Sequence, residues 1–163
     1  YGHAQFETKR SEVGELLYRL KYQSDRTALP ELVERASAFL DKWKPRVDAV
    51  VPVPPSRVRA VQPVMLLGEA LANRFGLPFG VDWVRRTRDV PELKNVYDYD
   101  ERIQLLAGAH LADKAKVQGR RILLFDDLYR SGATLNELAA ALYDQGGAAE
   151  VFVLTLTRTR SKQ

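Results

Sequence analysis

An apolar run, Ile122-Leu123-Leu124-Phe125, leads directly into two adjacent carboxylates, Asp126 and Asp127, and a glycine, Gly132, follows shortly after. The apolar run is long enough for a buried strand, and the acids stand where that strand should end. Thr134, with Glu137 three residues on, reads as a capping box that opens a helix. Leu135, Leu138, Ala139 and Leu142 give that helix one apolar face, and Gly146-Gly147 supplies its stop. The pattern is therefore strand, acidic pair, small loop, helix. In an open parallel sheet, ligands bind beyond the carboxyl ends of the strands. Backbone N–H groups at Arg130–Thr134 can converge on a phosphate, and a helix N-terminus favours an anion. The acids would repel that phosphate, so they need hydroxyls or a metal ion. A sugar phosphate meets both demands.

Two other readings of the stretch are open. An apolar strand ending in acids also describes a Walker B segment, but no G-x-x-x-x-G-K-[ST] loop or G-x-G-x-x-G occurs in the chain. A plain strand–turn–helix with solvated acids is the other.

The rest of the chain suggests what surrounds this unit. From Ser11, the positions Val13, Leu16, Leu17 and Leu20 predict a short amphipathic helix, which breaks at Lys21–Asp25. A second helix starts near Pro30, buries Leu32, Val33, Ala36, Phe39, Leu40 and Trp43, and ends at Pro45. Val47–Val53 reads as a core strand, followed by the rigid turn Pro54-Pro55-Ser56-Arg57. A helix from Pro63 with Val64, Leu67, Leu71 and Phe75 on one face ends at Gly76, and Leu77–Val84 is the next expected strand. Strand, helix, strand is a βαβ unit with a right-handed crossover. Arg85–Asp100 is charged and irregular, a short helix follows near Glu101–Ala107, and His110–Val117 is a short strand. The apolar Ala149–Thr157 predicts a strand covered by helices on both faces.

At 163 residues the chain is expected to be one domain with a substantial core. It has no cysteine and only His3 and His110, which excludes a disulfide framework, a thiolate zinc site and a histidine metal cluster. Ser131 is not in a G-x-S-x-G elbow. No apolar run reaches membrane-spanning length and no signal peptide is read, so a cytoplasmic protein without a membrane partner is expected. The chain begins at Tyr1 rather than Met, so a missing N-terminal segment is expected. A formal charge of +4 suits anionic ligands but is too small to argue for nucleic acid. The basic tail Arg158–Lys162 reads as a solvated terminus.

The stretch around Asp126 and Asp127 resembles the 5-phosphoribosyl-1-pyrophosphate (PRPP) motif of type I phosphoribosyltransferases. Leu17–Asp25, LYRLKYQSD, is similar to the LK-Y-x-x-D stretch near the start of the ComF-like subfamily, which is associated with competence and DNA uptake. The chain lacks that subfamily's usual cysteine-rich zinc finger. Arg59-Ala60-Val61-Gln62-Pro63 stands where it usually carries Arg-Gly-Phe-Asn-Gln, and Arg130 stands where a small residue is usual in the family.

The resemblance implies an α/β fold with a central, mostly parallel sheet flanked by helices. It implies a single phosphoribosyltransferase domain over 1–163, with a small hood from the N-terminal segment (1–45) and a core over 46–163. Asp126 and Asp127 would hold the ribose hydroxyls and Mg²⁺, and Arg130, Ser131, Gly132, Ala133 and Thr134 would wrap the 5-phosphate. Ser56 and Arg57 would lie at the pyrophosphate, and Arg86, Arg88, Lys94 and Arg102 are candidates to neutralise it as it departs. The implied reaction is Mg²⁺-dependent transfer of phosphoribosyl to a base or amine nitrogen. The alternative is a non-catalytic binding protein of the same fold, a nucleotide sensor or a DNA-uptake accessory. The implied partners are PRPP or pyrophosphate and a base or nucleotide. Single-stranded DNA and a homodimer are further readings.

Overall fold

The computed structural model describes residues 11–55, 59–87, 96–129 and 132–158. Two helices come first, α1 (Glu12–Tyr22) and α2 (Leu29–Trp43). The strand β1 (Ala49–Pro52), the helix α3 (Pro63–Phe75), β2 (Val84–Arg86) and α4 (Tyr99–Leu106) follow. The chain then forms β3 (His110–Ala112), α5 (Lys114–Val117), β4 (Arg121–Tyr129), α6 (Ala133–Asp144) and β5 (Glu150–Arg158).

The main sheet is parallel in the order β1-β4-β5, with Val51 opposite Leu124 and Leu124 opposite Val153. The side chains of β4 alternate between two apolar layers, as a strand buried on both faces requires. Leu123 and Phe125 join Val50, Leu154 and the inner faces of α1, α2 and α3. Ile122 and Leu124 join Ala49, Val51 and the α6 residues Leu135, Leu138 and Leu142. Helices therefore cover both faces of the sheet, and the expected α/β architecture is borne out. The pair β2–β3 forms a small antiparallel sheet on the α6 side, with Val84 and Ala112 in that layer.

Local signals hold where they are purely steric. Ser11 caps α1 by accepting from the Gly14 N–H at 3.0 Å. Gly76 ends α3 at φ 65°, a left-handed conformation that glycine takes without penalty. Gly68 lets the ring of Phe79 approach so closely that a Cβ there would lie 2.7 Å from it.

Four expectations are corrected. Leu77–Val84 is not a full strand: only Phe79 bridges to Val50, in parallel, before the chain turns. Phe39 and Trp43 are exposed rather than buried, because among the described residues the sheet beneath the end of α2 stops at β5. β5 is only half covered, with Leu154 its one fully buried side chain. The capping box does not form. The cap of α6 is Gly132, and Glu137 turns instead to His110, with Oε2 and Nδ1 at 2.5 Å.

Candidate functional site

The site follows from where β1 stops. Pro52 is the last residue of β1, opposite Phe125, and the Val53 N–H still donates to the Phe125 carbonyl at 2.8 Å. Pro54 and Pro55 have no N–H to give, so pairing on this side ends there. β4 continues for four more residues with β5 as its sheet neighbour: Asp126 lies opposite Thr155 and Tyr129 opposite Arg158. The acids thus sit within the strand and not beyond its end. They occupy the part of β4 whose β1 flank has opened.

The two carboxylates have different surroundings. Asp126 accepts the Asp127 N–H at 2.8 Å. Burial, reinforced by the neighbouring Asp127 carboxylate, pushes the Asp126 carboxyl well above the usual carboxylate range. Asp127 is compensated by Lys21 from α1, with Nζ and Oδ2 3.4 Å apart and both side chains largely buried. Thr157 donates its hydroxyl to the Asp127 carbonyl at 3.1 Å, which fixes the strand on the β5 side.

Gly132 is the residue that opens α6. Its φ of 78° is left-handed, and it has no side chain with which to cap the helix. A Cβ at this position would lie 2.9 Å from the Tyr129 hydroxyl, so the bend and the ring beside it require glycine. Ala133 is buried and Thr134 half-buried in the first turn of α6. This end of the helix carries the positive end of its dipole.

The stretch LYRLKYQSD, at the end of α1 and just beyond it, meets the acidic pair through Lys21. Lys21 reaches Asp127, and the next residue, Tyr22, is 60% exposed. Its ring lies 5.0 Å from that of Tyr18 between centroids, and the Arg59 guanidinium stands 5.4 Å from its centroid. Asp25 is held by Arg19 at 2.7 Å and by Thr27, and these bonds keep its carboxyl below the usual range, Thr27 contributing most.

The chain can be set beside known proteins on this geometry. No protein-family model matches it. It is 32% identical over 139 residues to adenine phosphoribosyltransferase of Sphingopyxis alaskensis, an alignment covering 81% of this chain and 66% of that protein. It is 29% identical over 147 residues to competence protein ComFC of Bacillus subtilis, covering 89% and 59%. The adenine phosphoribosyltransferase of Saccharomyces cerevisiae, solved with an imino-altritol bisphosphate and adenine, superposes with a TM-score of 0.58 at 15% identity, over 84% of this chain and 72% of that one. The glutamine PRPP amidotransferase of B. subtilis, complexed with ADP and GMP, superposes with a TM-score of 0.52 at 21% identity, over 74% and 24%. This chain belongs to the type I phosphoribosyltransferase family, in its ComF-like branch. It spans about half to two thirds of the length of the curated relatives it matches.

In this chain, Asp126, Asp127, Gly132, Ala133 and Thr134 are brought to one region by β4 and the start of α6. Arg102 is placed differently. It is buried in α4, and its Nε donates to the Val96 carbonyl, so it ties α4 to the segment before it. Arg86 lies in β2 opposite His110, and its Nε is buried without a hydrogen-bond partner among the described residues. Ser56, Arg57, Arg88, Lys94, Arg130 and Ser131 lie outside the described residues. Sequence reasoning missed Lys21, which it read as part of a helix break. The signal was available in the LK-Y-x-x-D stretch, but only the fold shows that its lysine faces an acid 106 positions away.

A cavity of about 310 Å³ lies at the other end of the sheet, lined by Leu40, Val47, Val50, Leu71, Phe75 and Leu123 among others. It opens at the amino ends of β1 and β4 and is separate from the acidic pair. Among the described residues no helix is long and apolar enough to cross a membrane.

Proposed function

We propose that this protein binds PRPP and transfers its phosphoribosyl group to a base or amine nitrogen, releasing pyrophosphate. The observation that carries the reading is the pair Asp126–Asp127 on the part of β4 that β1 no longer covers, next to a helix opened by a left-handed glycine. The first turn of α6, with Gly132, Ala133 and Thr134, would hold the 5-phosphate through backbone groups and the helix dipole. Asp126 and Asp127 would hold the ribose hydroxyls. Positive charge develops at C1 as the bond to pyrophosphate breaks, and the carboxylates would offset it. Catalysis would rest on positioning and electrostatics, with the acceptor nitrogen held in line behind C1.

Lys21 would set the balance of charge at the acids, its ammonium facing Asp127 while burial and the neighbouring carboxylate oppose ionisation of Asp126. Arg86, whose buried Nε has no hydrogen-bond partner among the described residues, is proposed as a group that meets the leaving anion, together with Ser56, Arg57 and Lys94. Arg102 is proposed to act from behind, by holding the segment that carries such cations.

The donor set is compatible with Mg²⁺. That ion usually takes one or two carboxylates and draws its remaining ligands from water and substrate phosphates. Asp126 and Asp127 would supply the carboxylates, and no cluster of three or more His, Cys, Asp or Glu groups is present among the described residues. When bound, the ion would neutralise pyrophosphate charge. The N-terminal helices over 1–45 would form a hood on a 46–163 core, with Tyr22 placed to meet the acceptor. PRPP is an intracellular metabolite, so the proposed compartment is the cytoplasm.

Calorimetric titration with PRPP and Mg²⁺ tests the binding step: saturable binding that is lost in Asp126→Asn/Asp127→Asn supports it, and no binding at millimolar ligand overturns it. Turnover against a panel of nucleobases tests the transfer step. A second reading, a binding protein that does not turn over, draws support from Tyr22, whose exposed ring packed by Arg59 would also stack on a base of single-stranded DNA. Steeply salt-dependent binding of a single-stranded oligonucleotide without turnover would favour it.

A further inference from the structure

The small sheet carries a charged cluster of which the proposed reaction uses only one member. β2 and β3 run antiparallel, with Arg86 opposite His110. The Thr87 N–H donates to the Ala109 carbonyl at 2.7 Å, and the Asp113 N–H to the Trp83 carbonyl at 2.8 Å. Bonded and unbonded pairs alternate along an antiparallel ladder. Arg86 and His110 are therefore an unbonded pair, the kind whose side chains stand closest. They share a face with Val84 and Ala112, two residues away on each strand. That face packs on α6, against Leu135, Leu138 and Leu142.

Glu137 meets this face from α6. Its Oε2 lies 2.5 Å from His110 Nδ1, with the imidazole buried and the carboxylate side chain only 14% exposed. Arg86 is the cross-strand neighbour of that imidazole, yet its Nε is buried without a hydrogen-bond partner among the described residues. One carboxylate and two possible partners thus share a largely buried place, and the carboxylate has taken the histidine. A guanidinium is the stronger competitor on chemistry alone. It is always charged and can grip a carboxylate with two N–H groups, where an imidazole nitrogen offers one.

We propose that His110 is a positioning residue: by occupying Glu137 it leaves the Arg86 guanidinium available to an anionic ligand. The role rests on the reading in which Arg86 meets the leaving pyrophosphate. Without the imidazole, Glu137 would be a largely buried carboxylate stripped of its partner, a costly state. Val84 and Ala112 cannot relieve it, so on this face of the sheet Arg86 is the group that would. Capture by Glu137 would turn the guanidinium from the ligand and cancel its charge.

Two measurements on the full chain test this. The first needs no ligand. A double-mutant cycle of Arg86→Met and Glu137→Gln, read from denaturant midpoints, should show little coupling in the parent. In a His110→Phe background the same cycle should show coupling of about tenfold in the unfolding equilibrium constant, because the two groups have then paired. The second measurement uses inorganic pyrophosphate as the probe, by calorimetry. His110→Phe should weaken binding about tenfold, as the loss of one charge-assisted bond would. His110→Phe/Glu137→Gln should restore it, since no carboxylate is left to take Arg86. His110→Gln, which keeps a donor for Glu137, should bind as the parent does. A histidine that only fills space would make the double variant weaker than the single one. If His110→Phe does not fold, His110→Leu serves in both measurements. Absence of coupling in the substituted background overturns the proposal, and so does a double variant that binds no better than the single. A parent that binds neither pyrophosphate nor PRPP overturns the reading of the reaction instead, and the stability cycle still decides whether His110 keeps Glu137 from Arg86.

Discussion

The two halves of β4 have the same backbone and opposite purposes. Ile122–Phe125 lies between β1 and β5, and all four side chains are buried in the two apolar layers. Asp126–Tyr129 keeps β5 as its sheet neighbour but has passed the end of β1, and the first two residues where the flank opens are carboxylates. One missing strand separates the part that holds the sheet together from the part that can meet a ligand. The acidic half is also the less comfortable one: Asp126 is held where burial and a neighbouring charge oppose its ionisation.

The contrast can be broken in order of expected effect. Leu124→Ala, in the first half, should lower stability by about 3 kcal/mol through its cavity, read from denaturant midpoints. PRPP affinity per folded molecule should stay within a factor of two or so, because the residue is buried away from the open flank. Lys21→Met should cost about 2 kcal/mol, less than for a fully buried pair because solvent still screens this one. It should also weaken PRPP binding, and Lys21→Arg should recover most of the stability. If Lys21→Met is neutral, the ammonium does not compensate Asp127.

Asp126→Asn sharpens the comparison from the other side. The folded protein holds the Asp126 proton to higher pH than the unfolded chain does. Ionising this group therefore costs stability, and the cost grows as pH rises from about 4 through the folded-state value. Asparagine removes the cost. The variant should be more stable than the parent at pH 7 by about 1 kcal/mol, with the gain fading below pH 4, while PRPP binding falls. A thermal midpoint lower than the parent's at pH 7 would mean that the carboxylate is a structural group after all.

Much of the fold was legible because its signals are local. The apolar faces of α1 and α3, the glycine ends and the prolines after β1 act through sterics and periodicity within a few residues. The misreadings share one cause. Phe39 and Trp43 continue an apolar face that the sheet of the described residues does not cover, and β5 reads as a central strand because nothing in its own residues says that, among the described residues, β4 is its one neighbour. Glu137 was assigned to a cap because it has the right spacing, but a glycine already occupied that position and His110 offered a partner from a distant strand.

By itself the sequence determined a strand with two acids and a glycine-hinged helix after it, since backbone conformation and side-chain period are written residue by residue. Only the tertiary structure decided that β1 stops at Pro52, that Lys21 reaches Asp127 from the other end of the chain, and that β5 has only β4 beside it among the described residues. These depend on which segments become neighbours. That is fixed by the joint burial of many side chains, and no window of the sequence contains it.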